Sequence, residues 1–123
     1  MTTGSTPSAT VALLTPASAA ALAVVRLFGP GVEDLLGRLV QPRPEARGQA
    51  PAARPLQLVR VVDPRTGEAI DEAMVRRLPG GLGAELSLHG GVRIVQRVLS
   101  ACQWLGAARL DVDRAEDFEE LWR

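Results

Sequence analysis

Apolar residues recur along this chain with the spacing of helices in some stretches and of strands in others. The clearest helical spacing follows a His-Gly-Gly run at residues 89–91, where apolar and polar side chains occupy opposite helix faces. The apolar face carries Val92, Val95, Val98, Leu99, Cys102 and Leu105. A shorter amphipathic helix is predicted from Val32, with Glu33 and Asp34 in its first turn.

Five stretches have the β-branched, apolar content of strands. They comprise residues 9–14, 20–27, 56–62, 69–78 and 84–88. The period of the second stretch fits a helix or a strand, and its β-branched and aromatic end favours a strand. Pro64 and Gly67 suit a turn between the third and fourth stretches, which predicts a hairpin there.

The remaining segments complete the predicted order. Residues 1–8 are predicted to be a flexible arm, and residues 41–55 a mobile surface loop rich in Pro, Arg and Ala. Residues 109–112 are a candidate last strand, and residues 113–122 open with a capping-box-like pair that predicts a short helix. The order is strand-strand-helix-strand-strand-strand-helix with a short tail, which indicates an α+β fold with a mixed sheet packed against helices. We expect residues 9–123 to form a single domain.

Composition narrows the classes of function. Fourteen acidic residues balance fourteen basic ones, so no overall field attracts nucleic acid or an anionic membrane, and there is no direct signal of nucleic-acid binding. Cys102 is the only cysteine, which excludes a disulfide within the chain and fits a reducing cytoplasm. Thr15, Pro16 and Arg26 interrupt the apolar stretch 11–28, so neither a signal peptide nor a membrane span is expected.

Four segments, taken in order, resemble the N-terminal, folate-binding domain of the tRNA-modification GTPase family TrmE, also called MnmE. They are TVALLTP (10–16), ALAVVRLFGP (21–30), IDEAMV (70–75) and ELSLHGG (85–91), followed by Val95, Leu99 and GAAR (106–109). The order and spacing of these segments cover residues 10–109.

The resemblance implies an α+β domain that binds a tetrahydrofolate carrying a one-carbon unit. It also implies half of a larger folate-binding fold, so that two chains pair as a homodimer. In that family the domain precedes a helical domain with an inserted GTPase. The family modifies the wobble uridine of certain tRNAs together with a flavoprotein partner.

The chain departs from the family pattern in ways that limit its chemistry. No Gly-x-x-x-x-Gly-Lys-Ser/Thr run occurs and there is no lysine, so a P-loop of that type and GTP hydrolysis by this chain are excluded. The family motifs expected within residues 79–83 and after Arg109 are shortened or missing. No nucleophile with its base and no carboxylate dyad can be identified, so no catalytic residue is assigned. A degenerate paralogue that acts as a structural or protein-interaction module, without folate binding, is the alternative function.

Arg26 and Glu85 are candidate ligand residues at positions where the family also carries an arginine and an acid. Arg26 interrupts an apolar strand, and a buried guanidinium needs an anion or a pair. It is a candidate for the folate glutamate tail or a dimer contact, with an intrachain pair such as Glu85 as the alternative. Glu85 can accept the adjacent N–H donors of a pterin, and its alternative is an exposed acid at a strand edge.

His89, Gly90 and Gly91 form the other candidate ligand site. Glycines allow close approach of a ligand, and a helix starting there offers free N–H groups to an anion such as a carboxylate. The alternative is a histidine that caps or packs at a strand end. One histidine without clustered acids gives no metal site. Cys102 is predicted to be a core residue, whereas Trp104 and Trp122 are candidates for a dimer surface or for ordinary partial burial.

Overall fold

The computed structural model describes residues 9–15, 22–42, 56–81 and 83–110. These residues form seven strands and two helices. In chain order they are β1 (Thr10–Leu13), β2 (Leu22–Phe28), α1 (Val32–Leu39), β3 (Val40–Pro42), β4 (Leu56–Val62), β5 (Ala69–Arg77), β6 (Gly83–His89), α2 (Val92–Trp104) and β7 (Ala108–Leu110).

All seven strands join one mixed sheet in the order β3-β4-β5-β6-β2-β1-β7. Every neighbouring pair is antiparallel except β1 and β7, which run parallel. The predicted α+β class with a mixed sheet and helices is therefore confirmed. Neither described helix is long and apolar enough to cross a membrane.

The two helices form where the sequence predicts them, and each buries the predicted face. In α1 the buried side chains are Val32, Leu35, Leu36 and Leu39. In α2 the buried side chains are Val95, Val98, Leu99, Ala101 and Cys102. Val92 belongs to the predicted apolar face of α2 but is 41% exposed, because it lies in the first turn of that helix.

The helices pack on one face of the sheet and leave the other face without a described helix. The covered face and the helices share one apolar core, which includes Val25, Leu27, Val61, Val75 and Leu86. The alternate strand residues point away from this core, and we call their surface the open face. Its members include Leu22, Val24, Arg26, Phe28, Leu56, Leu58, Arg60, Glu72, Met74, Arg76, Glu85 and Ser87.

The predicted hairpin between β4 and β5 is present and is closed by Asp63. The backbone carbonyl of Asp63 accepts a hydrogen bond from Gly67 N at 2.7 Å. Gly67 has a φ of 78°, a conformation that glycine adopts without strain. The Asp63 carboxylate also accepts hydrogen bonds from Arg65, through its backbone N at 2.9 Å and its Nε at 3.0 Å.

Two strand predictions need correction, and three other predicted segments cannot be compared in full. The loop predicted from residue 41 starts later, because Gln41 and Pro42 belong to the edge strand β3, where a proline is tolerated. The last strand is β7, which begins at Ala108 rather than Arg109 because it pairs with β1 from Thr10 onward. The predicted arm 1–8, the rest of the predicted loop and the predicted helix with Trp122 lie outside the described residues.

Candidate functional site

Arg26 and Glu85 meet at the centre of the open face. The pairing of β2 with β6 places them directly opposite each other. Arg26 Nε donates to Glu85 Oε2 at 3.1 Å, and its Nη2 donates to the same oxygen. Each side chain is only 15% exposed. The structure thus contains the intrachain pair that sequence reasoning weighed as the alternative for Arg26, whereas the strand-edge alternative for Glu85 is wrong because β6 lies between β5 and β2.

Arg76 extends this pair into a charged row across three strands. The pairing of β5 with β6 places Arg76 opposite Glu85. Arg76 Nη2 lies 3.5 Å from Glu85 Oε1, and its side chain is 58% exposed. Two guanidinium groups therefore flank one carboxylate, and the row has a surplus of positive charge. Sequence reasoning missed Arg76, although its alternation with Val75 in β5 could have placed it on the face opposite the core.

His89 lies at the end of β6, about 13 Å from Glu85 at the usual rise per strand residue. The Asp71 carboxylate accepts a hydrogen bond from His89 N at 2.8 Å, and Asp71 Oδ1 lies 2.7 Å from His89 Nδ1. The His89 side chain is 69% exposed, whereas that of Asp71 is 9% exposed. Sequence reasoning missed Asp71. The signal that could have identified it is its position as an acidic residue within the apolar segment that precedes Ala73.

Gly90 and Gly91 connect His89 to the start of α2. Gly91 has a φ of 127°, which a residue with a side chain rarely adopts. A Cβ added at Gly91 would meet no atom within 4 Å, so the space beside it is open. No side chain caps α2, whose first helical hydrogen bond runs from Val95 N to Gly91 O at 3.2 Å. The start of α2 therefore offers N–H groups without a side-chain cap.

The structure gathers the predicted ligand residues into two places rather than one. Arg26 and Glu85 form the first place, and His89 with the two glycines forms the second. Ser87 lies between them on β6, opposite Val24 on β2 and Met74 on β5. A ligand that contacts both places must therefore be elongated.

Two clefts lie elsewhere on the described part of the chain. The larger, of about 180 Å³, is lined by residues that include Leu36, Val59 and Arg77. The smaller, of about 40 Å³, is lined by Ala9, Gly31, Asp34, Leu35, Arg38, Leu105, Gly106 and Ala107. Neither of these two clefts is lined by a predicted ligand residue.

Metal and thiol chemistry find no support in the described residues. Among residues 9–15, 22–42, 56–81 and 83–110, no three His, Cys, Asp or Glu side chains cluster closely enough to hold a metal ion. Cys102 is fully buried, as predicted, and burial raises the pKa of its thiol to about 12. Since the thiolate is the nucleophilic form, this cysteine is unreactive at neutral pH while it stays buried.

Comparisons with known proteins agree with the fold. Residues 9–115 match the family model described as the N-terminus of the GTP-binding protein TrmE. The chain is similar to the tRNA modification GTPase MnmE of Methylorubrum populi, with 42% identity over 88 residues, 67% of this chain and 18% of that protein. It is 36% identical to the protein of the same name from Akkermansia muciniphila over 109 residues, 83% of this chain and 23% of that protein.

A human protein is also similar to the chain. A subunit of the mitochondrial 5-taurinomethyluridine-[tRNA] synthase of Homo sapiens is 36% identical over 86 residues, 65% of this chain and 16% of that protein. The chain thus spans about a fifth of the length of the relatives it matches.

Proposed function

The chain belongs to the family of the TrmE N-terminal domain, and from this we propose that it is a tetrahydrofolate-binding and dimerisation module of a tRNA wobble-uridine modification system. The observation that carries the proposal is the Arg26–Glu85 ion pair, which is only 15% exposed at the centre of the open face. Removing two charges from water costs free energy that their mutual attraction offsets only in part, so a ligand or a partner chain that bonds to the pair would stabilise it further.

The pterin ring of a reduced folate suits Glu85. A carboxylate accepts two adjacent N–H groups in a bidentate manner, and a pterin presents such a pair. Arg26 holds the carboxylate in place through its Nε and Nη2. Because Arg26 touches Glu85, it cannot hold the distant glutamate tail of the same folate. In this proposal Arg26 therefore orients Glu85 rather than binding the tail.

The glutamate tail suits the second place, about 13 Å away along β6. The backbone N–H groups at Gly91 and the start of α2 favour a carboxylate, and the absence of a Cβ at Gly91 lets it come close. The apolar middle of the ligand then lies over Val24, Ser87 and Met74, which are half-buried on the open face.

In this proposal a second copy of the chain covers the open face. Leu22, Leu56 and Leu58 are 61%, 52% and 44% exposed, and large exposed apolar side chains on one face are typical of an interaction surface. Pairing through this face would bury these side chains and would enclose the proposed folate place. A flavoprotein is the partner that this family suggests, and GTP hydrolysis is not assigned to residues 1–123, because they contain no lysine for a P-loop.

Calorimetry with 5-formyltetrahydrofolate tests folate binding. We expect binding by the folded wild type, and an affinity at least about tenfold lower for Glu85→Gln, which keeps the side-chain shape but removes the charge. Asp34→Asn is the matched control, because Asp34 is an exposed acid of α1. No heat of binding at high micromolar ligand with folded wild-type protein would overturn the folate proposal.

Sedimentation equilibrium tests dimerisation and its surface. We expect a wild-type dimer whose dissociation constant rises at least about tenfold in Leu58→Asp, because the variant places a charge in an apolar interface. Trp104→Ala is the control, since Trp104 is 58% exposed on α2. A monomeric wild type contradicts dimerisation, and a larger effect of Trp104→Ala than of Leu58→Asp moves the interface to α2.

One observation favours the alternative of a structural or protein-interaction module without folate binding. The Glu85 carboxylate is already satisfied by Arg26 and Arg76, so it needs no ligand to offset its burial. The two functions separate in the experiments above, because the alternative predicts a dimer that shows no heat with folate.

A further inference from the structure

One carboxylate holds His89 at two points. Asp71 Oδ2 accepts the backbone N–H of His89 at 2.8 Å, and Asp71 Oδ1 lies 2.7 Å from Nδ1 of the imidazole ring. The Asp71 side chain is 9% exposed and the His89 side chain 69% exposed. The carboxylate is thus fixed within the protein, whereas the opposite edge of the ring faces solvent.

The sheet explains why Asp71 is placed there. The pairing of β5 with β6 runs from Arg77 and Ala84 to Met74 and Ser87, and stops there. Strand β6 continues to His89, so the backbone N–H of His89 points toward β5 beyond the last paired residue. The Asp71 carboxylate supplies the acceptor that a backbone carbonyl would otherwise provide. By accepting the backbone N–H of His89 at the end of the sheet, Asp71 therefore also brings its carboxylate to the imidazole ring of His89.

The ring chemistry follows from the acceptor character of a carboxylate. An ionised aspartate only accepts hydrogen bonds, so Nδ1 of His89 must donate to it. A neutral imidazole has one N–H, and with the hydrogen on Nδ1 its exposed Nε2 carries a lone pair. The neutral ring therefore accepts hydrogen bonds from the solvent side.

We propose that Asp71 is a positioning residue that fixes His89 as a hydrogen-bond acceptor, so that this end of the site takes an N–H or O–H group of the ligand. The carboxylate of that ligand is then left to the backbone N–H groups at the start of α2. The tautomer of His89 stands on the geometry alone, and the role toward a ligand rests on the proposed folate function.

The tautomer can be measured directly, because His89 is the only histidine of the chain. In ¹⁵N-labelled wild-type protein above the titration range of the ring, we expect Nδ1 to carry the hydrogen and Nε2 to carry none. In Asp71→Asn the side-chain amide donates as well as accepts, and we expect a shift toward the tautomer with the hydrogen on Nε2. Glu72→Gln removes the same charge one residue away and is expected to keep the wild-type tautomer. A wild-type ring with the hydrogen on Nε2 overturns the proposal, whatever the variants do.

The ligand role is tested by calorimetry of the same variants with 5-formyltetrahydrofolate. We expect the affinity to fall about tenfold in Asp71→Asn and in His89→Leu, with little change in Glu72→Gln and partial recovery in His89→Gln, whose amide oxygen accepts a hydrogen bond. An unchanged affinity in an Asp71→Asn protein with an altered tautomer overturns the ligand role. If the wild type shows the expected tautomer and no folate binding, the proposed function and the ligand role fail, while the positioning of His89 by Asp71 stands.

Discussion

Arg26 and Glu85 face each other across β2 and β6, and their side chains form an ion pair in the middle of the sheet. Both side chains are 15% exposed, so each has lost most of its hydration, and the other partner supplies part of the compensation. A ligand that bonds to Glu85 must either share the carboxylate with Arg26 or displace it. Stability and recognition are therefore linked at this pair.

The first prediction concerns the strength of this pair. The test is a double-mutant cycle of Arg26→Met and Glu85→Gln. We expect each single variant to lose more than half of the free energy of unfolding that the double variant loses. The coupling should be about 1–3 kcal/mol, because removing one partner leaves the other charge half-buried. Urea unfolding of the four proteins gives the coupling free energy.

The matched control is the exposed pair of Arg38 with Asp34 on α1. Its atoms are 3.7 Å apart and its side chains are 65% and 78% exposed. An exposed pair four residues apart on a helix couples by about 0.3–0.5 kcal/mol. A coupling for Arg26 and Glu85 no larger than that of the control would contradict our account of the pair.

The second prediction uses one substitution at two glycines. Gly37→Ala should stabilise the protein by about 0.5–1 kcal/mol, because Gly37 lies within α1 and alanine is the better helix former. Gly91→Ala should destabilise it by about 1–3 kcal/mol, because a φ of 127° is strained for any residue with a side chain. An added Cβ meets no atom within 4 Å at either position. The opposite signs of the two stability changes therefore reflect backbone conformation and not a steric clash. Thermal or urea unfolding checks both, and equal signs would refute this explanation.

Local patterns were enough to predict the helices and the β4–β5 hairpin. Residues 32–39 and 56–62 carry their own period and are bounded by glycine or proline, so these elements have the predicted limits. Strand β3 was not predictable in this way, because its three residues form a strand only by pairing with Val59, Arg60 and Val61. The placement of β1 between β2 and β7 is likewise a long-range pairing that no local pattern shows.

The sequence could predict which residues belong to the candidate site, but not how these residues are arranged in space. Arg26 and Glu85 could be found because each interrupts an apolar strand, and that oddity also suggested their pairing. Asp71 could not be connected with His89, because 18 residues separate them and the contact depends on where the pairing of β5 with β6 stops. Such contacts depend on strand register, which the sequence does not state.

The third prediction concerns acid stability and the turn at Asp63. Hydrogen bonds from the Arg65 side chain, and then from its backbone N–H, lower the pKa of Asp63 below its ordinary value of 3.8. A lowered pKa in the folded state means that the stabilising contribution is present above that ordinary value and is lost as the pH falls through the folded pKa. Asp63→Asn should therefore be less stable than wild type at pH 7, and the difference should shrink below about pH 4. Urea midpoints across this range measure it, and a difference that stays constant with pH would rule out the linkage.

The last prediction concerns Cys102, whose side chain is fully buried in α2. Burial raises the pKa of its thiol from 9.0 to about 12. Because the folded pKa is raised, this thiol contributes stability that is complete below pH 9 and is lost as the pH rises toward 12. At pH 8 a thiol reagent should label the native protein on the order of 100-fold more slowly than the unfolded protein in urea.

A matched variant separates burial from slow chemistry at this helix. Ser100 lies on the exposed side of α2, so Ser100→Cys combined with Cys102→Ala presents a thiol two residues away in solvent. We expect this variant to be labelled in the native state at nearly the rate of the unfolded chain. If native wild-type protein reacts as fast as the variant, Cys102 is accessible, and its assignment to the core between α2 and the sheet is wrong.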